Sequence, residues 1–188
     1  TVTSKVYVRV WTPYPSHESR CRPSMPATVS SRLAQLLAQR SLHIATAESC
    51  TLGGVCSALG AIPGASSYLQ GGIVAYQTGL KTELLGVSAE LIQAHHVVSP
   101  EVAEALALGA TERLDAEVGI GTTGLAGPGG GEPHHPVGQV CIASVYRSRD
   151  GLHTRSKTLQ LQGSREENIQ QAIHEALQLT LELLEAHP

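Results

Sequence analysis

Ile44-Ala45-Thr46-Ala47-Glu48-Ser49-Cys50-Thr51-Leu52-Gly53-Gly54 passes from a short run of strand character into a polar turn, and the turn leads into a second apolar stretch. Before it, Val29, Leu33, Leu36 and Leu37 recur on one helical face. Helix, strand and helix in that order open an α/β domain. The second helix is expected to start near Thr51 and stop by Pro63-Gly64, with Thr51 available as its cap.

Outward from this unit the alternation continues. Tyr68 to Tyr76 reads as a central strand with an irregularity at Gly71-Gly72. Ser99-Pro100-Glu101 marks a helix start, because serine caps free amides and proline at the first helical position has none to waste. That helix, running to about Leu114, is alanine-rich and should be buried. Val118–Thr122, Val137–Tyr146 and Leu152–Leu161 are further strands, and Ser164-Arg165-Glu166-Glu167 is a capping box that opens the last helix. The pattern predicts a three-layer α/β/α sandwich around a mixed, mostly parallel sheet of about five to six strands. Residues 1–26, crowded with Pro13, Pro15, Pro23 and Pro26, read as an irregular tail, and residues 27–188 as one domain.

Composition narrows the function. A net charge of −3 supplies no basic face for phosphodiesters, and 3% aromatic residues leave few stacking platforms, so nucleic acid is not expected as a partner. Four cysteines without a CxxC pair suit neither a zinc knuckle nor a disulfide framework. No apolar run reaches the roughly 20 residues of a membrane span, and the expected setting is the cytoplasm, without a membrane partner. The adjacent pairs His95-His96 and His134-His135 point in different directions, so no metal site is expected.

Ser49 lies where a strand gives way to a helix. It is either a cap or a nucleophile facing unpaired helical amides that would hold an oxyanion. Cys50 competes for the second role. A serine nucleophile needs a base, and Lys81, five residues after Tyr76, serves if desolvation lowers its pKa. Gly119-Ile120-Gly121-Thr122-Thr123-Gly124 spells GxGxxG, but the prolines and glycines of residues 127–136 forbid the helix a dinucleotide fold requires. The remaining use of residues 124–131 is a loop whose bare amides, with the Thr122 and Thr123 hydroxyls, close on a phosphate or carboxamide, set against a plain hairpin connection.

Glu48-Ser49-Cys50-Thr51, Val74-Ala75-Tyr76 with Lys81, Leu85-Gly86-Val87, Val98-Ser99 and Thr123-Gly124-Leu125-Ala126-Gly127-Pro128-Gly129-Gly130-Gly131 occur in this order. From about Ala27 to Ala186 the chain resembles the CinA C-terminal domain family, which includes competence-damage inducible proteins and nicotinamide mononucleotide deamidases. The resemblance implies hydrolysis of the nicotinamide carboxamide to the carboxylate with release of ammonia, a step of pyridine nucleotide salvage that takes no cofactor. Carried over by motif, Ser49 is the nucleophile and Tyr76 and Lys81 move its proton. Thr51, Ser66, Thr123, Gly124, Gly127, Gly129, Gly130 and Arg165 are then the substrate-binding positions, Arg165 for phosphate. Leu52 stands where the family usually has glycine, and Thr78-Gly79 where it has Asn-Glu. These departures leave a second reading, a nucleotide-binding module that has lost the chemistry. The sequence leaves the oligomeric state open, a homo-oligomer included.

Overall fold

Along β1 (Ile44–Glu48) the side chains alternate between two faces of a sheet, and this parity sets the position of everything that follows. Ile44 joins the apolar cluster on one face, and Ala45 and Ala47 join the cluster on the other. The computed structural model describes residues 28–188. The tail expected over residues 1–26 lies outside the described residues.

The elements follow as α1 (Val29–Arg40), β1, α2 (Gly54–Gly60), β2 (Leu69–Val74), α3 (Thr78–Leu85), α4 (Ala89–His95), α5 (Pro100–Leu114), β3 (Val118–Gly124), β4 (Gln139–Ser148), β5 (Gly151–Gln160) and α6 (Arg165–Ala186). The sheet order is β2-β1-β3-β4-β5. It is mixed as expected but not mostly parallel: β1 is parallel to β2 and β3, while β3–β4 and β4–β5 are antiparallel, because the short turn between β4 and β5 closes a hairpin. β2 is an edge strand and not a central one, and its register slips where Gln70 is skipped between Leu69 and Gly71.

The two faces are packed by different means. On one, Leu33 and Leu37 of α1, Val55 and Leu59 of α2, and Ala172, Ala176 and Leu183 of α6 cover Ile44, Val118, Ile120, Val140 and Ile142. On the other, α5 lies against small residues: Ala45, Ala47, Cys141 and Ala143. Gly119 and Gly121 belong to this second face, and a Cβ there would collide with the carbonyl oxygens of Ala107 and Ala103 in α5. The first two glycines of the GxGxxG spelling therefore record close helix–sheet packing, and the third, Gly124, the close approach of Gln139 and Val140 in β4. α5 carries the expected Ser99 cap with Pro100 in its first turn, and α6 the expected Ser164/Glu167 capping box. α4, seven residues capped by Ser88, was not anticipated. Among the described residues no helix is long and apolar enough to cross a membrane.

Candidate active site

Ser49 follows Ala45 and Ala47 in the same parity, so it leaves the end of β1 on the face where α3 and α5 pack. There it meets Lys81 of α3. The Lys81 Nζ lies 3.0 Å from Ser49 Oγ, 2.7 Å from the carbonyl oxygen of Ala75 and 3.3 Å from that of Tyr76. Lys81 is only 1% exposed, and none of these partners is a carboxylate. Burial lowers its pKa below the ordinary 10.5, with a smaller opposing contribution from Cys50. The two carbonyls occupy two N–H bonds of the amine. In the neutral form its lone pair is left for the proton of Ser49.

Glu48, one residue earlier, points to the opposite face and builds the turn from behind. Its Oε1 accepts from Thr46 Oγ1 at 3.0 Å and the Cys56 amide at 2.8 Å, and its Oε2 from Thr51 Oγ1 at 2.7 Å and the Val55 amide at 3.0 Å. The helix amides expected to stabilise an oxyanion are thus taken by this buried carboxyl group. α2 also begins at Gly54 rather than near Thr51, and its N-cap Gly53 has no side chain to cap with. Thr51 is drawn to Glu48 and, at 2.8 Å, to Thr122 Oγ1; it is buried and forms no part of the cavity wall. Glu48 went unread as a site organiser because a strand residue capping the next helix leaves no local signature.

Ser49 and Lys81 open into a cavity of ≈ 290 Å³ at the carboxyl ends of β1, β2 and β3, where open α/β sheets place ligands. Of the predicted residues, Ser49, Tyr76, Lys81, Thr123, Gly124, Gly127, Gly129, Gly130 and Arg165 line it, with Thr78, Val97, Val98 and Leu125 completing much of the wall. Ser66 does not. It is exposed in the 3₁₀ turn Ala65–Ser67, before the start of β2, while the cavity lies beyond its other end, roughly 20 Å of strand away. Leu52 is not in the wall either, so it does not narrow the approach; it is exposed, with φ 56°.

Tyr76 meets Lys81 through its main-chain oxygen. Its phenolic oxygen instead accepts from Arg165 at 3.3 Å, while the other arm of the guanidinium donates to the Gly127 carbonyl at 2.9 Å. Thr123 spends its hydroxyl on the Val97 carbonyl at 2.8 Å, tying β3 to the segment before α5. The amides of Gly127, Gly129 and Gly130 find no acceptor among the described residues. Cys50 is 4% exposed, and burial pushes its thiol up to about 12, which removes it as a nucleophile near neutrality.

The sequence profile of the CinA C-terminal domain matches residues 26–184. The chain belongs to this family. A CinA-like protein of Mycolicibacterium vanbaalenii is 48% identical over 146 residues, 71% of this chain and 34% of the relative. A CinA-like protein of Chlorobium limicola is 40% identical over 151 residues, 80% of this chain and 35% of the relative. The chain thus spans about a third of the length of these curated relatives. Among solved structures, competence damage-inducible protein A from Klebsiella pneumoniae superposes with a TM-score of 0.79 at 29% identity, covering 85% of this chain and 97% of that one. The competence/damage inducible protein from Agrobacterium tumefaciens gives 0.75 at 31% identity, covering 87% and 99%. The cavity with Ser49 and Lys81 therefore sits in a CinA domain.

Proposed function

We propose that this CinA-family chain is an amidohydrolase that converts the carboxamide of nicotinamide mononucleotide to the carboxylate, releasing ammonia. The observation that carries the reading is a buried lysine amine, without a carboxylate partner among the described residues, in contact with a serine hydroxyl in the wall of a cavity. Neutral Lys81 takes the Ser49 proton as Oγ attacks the amide carbon, forming the C–O bond and placing negative charge on the former carbonyl oxygen. Collapse of this adduct breaks the C–N bond, and the proton held by Lys81 leaves with the nitrogen as ammonia. Water, deprotonated by the same amine, then cleaves the ester on Ser49 and restores the hydroxyl. The unpaired loop amides and the Arg165 guanidinium suit a phosphate at the opposite end of the ligand.

Ammonia release from nicotinamide mononucleotide by the purified protein tests the reading. Turnover that requires the nucleotide supports it; tight binding without turnover selects the binding module.

A further inference from the structure

Asn168, in α6, is 1% exposed and uses its whole side-chain amide. Oδ1 accepts the Gly163 amide at 2.9 Å, and Nδ2 donates to the Gly163 carbonyl and to the Ala126 carbonyl, each at 3.0 Å. The two bonds to Gly163 close the turn into α6. The third crosses to the glycine loop and has no part in that turn. The bond between Ala126 and Gly127 is trans, so its C=O and N–H point in opposite directions. Fixing the Ala126 oxygen on Asn168 therefore turns the Gly127 N–H away from α6. Gly127 lines the cavity, its amide has no acceptor among the described residues, and the next peptide, at Pro128, has no N–H to offer.

We propose that Asn168 is a positioning residue for ligand binding: it aims the Gly127 N–H into the cavity, where that group donates to a phosphate oxygen. The proposal rests on the nucleotide reading above. Arg165 holds the following carbonyl, of Gly127, so α6 sets the orientation of two successive peptides from one end. A side chain that both accepts and donates twice is needed, and only an amide of this length supplies it.

Two measurements test this separately from the reaction. Asn168→Ala is expected to raise KM for nicotinamide mononucleotide about tenfold, the scale of one hydrogen bond to a charged group, with kcat within about twofold and KM for the corresponding nucleoside unchanged. A KM that does not move for the nucleotide, or that rises equally for nucleotide and nucleoside, overturns the proposal. In the wild-type protein, titration with inorganic phosphate followed by amide NMR is expected to shift Gly127 strongly. Phosphate that binds without moving Gly127, or that does not bind, also overturns it. A Gly127 response to phosphate that the folded Asn168→Ala variant loses, in a protein that releases no ammonia, removes the amidohydrolase reaction and leaves the role of Asn168 standing, whereas an undiminished response in that variant overturns it.

Discussion

Lys81 and Ser49, thirty-two residues apart, bring amine and hydroxyl to 3.0 Å in a setting where the amine has, among the described residues, two main-chain carbonyls and no carboxylate as further partners. An amine so placed is desolvated without a countercharge, which lowers its pKa and prepares it to accept a proton. The rate constant kcat/KM is expected to rise with pH through a single ionisation below the ordinary lysine value of 10.5. Lys81→Arg, which cannot deprotonate, is expected to lose activity by about 100- to 10,000-fold across the same range. A pH-independent profile contradicts the assignment of Lys81 as base.

The same lowered pKa links stability to pH. Between the lowered folded value and the unfolded 10.5, the unfolded chain holds a proton that the folded chain has released. Unfolding takes up that proton, so the contribution of Lys81 to stability rises with pH through this window and is smallest below it. The stability of the wild type minus that of Lys81→Met, measured by denaturant titration, is therefore expected to grow from neutral pH toward 10.5. A flat or falling difference contradicts this.

Glu48 tolerates no amide in its place. Each carboxyl oxygen accepts from one main-chain N–H, of Cys56 or Val55, so either orientation of a glutamine sets its NH₂ against a buried donor. Glu48→Gln is expected to cost about 2–4 kcal/mol of unfolding free energy and to disorder the Ser49 turn, read by urea titration together with activity. A change below about 1 kcal/mol contradicts the reading of Glu48 as the organiser of the turn.

Leu52 occupies a left-handed conformation at φ 56°, and its side chain is 49% exposed. Restoring glycine removes the Cβ penalty while giving up little burial. Leu52→Gly is expected to stabilise the protein by about 1 kcal/mol and to leave the kinetic constants unchanged, since Leu52 lies outside the cavity wall. Thermal unfolding and steady-state kinetics check the two halves of this statement.

What was legible in the sequence was local. Ser99 before Pro100 and Ser164 before Glu167 mark their helices because a cap and its amides are neighbours in the chain. The start of α2 was misplaced because its acceptor is Glu48, on the preceding strand, whose two amide donors are seven and eight residues away. α4 was missed because seven residues hold too few turns to show a period. Ser49, Lys81 and the glycine loop, each marked by its own motif, line one cavity. Asn168 was missed because its loop partner lies forty-two residues earlier and an asparagine inside a helix has no distinguishing pattern. Ser66 was carried by motif alone, and the strand that separates it from the cavity became visible only with the topology.

The central claim is that the Ser49 hydroxyl, activated by Lys81, attacks a nicotinamide nucleotide. Initial rates of ammonia release from nicotinamide mononucleotide by the wild type, Ser49→Ala and Lys81→Ala, with folding verified by thermal unfolding, test it most directly. Steady release by the wild type with loss of at least about 100-fold in both folded variants is the expected result. Release by Ser49→Ala at the wild-type rate, or none from the wild type, would contradict it.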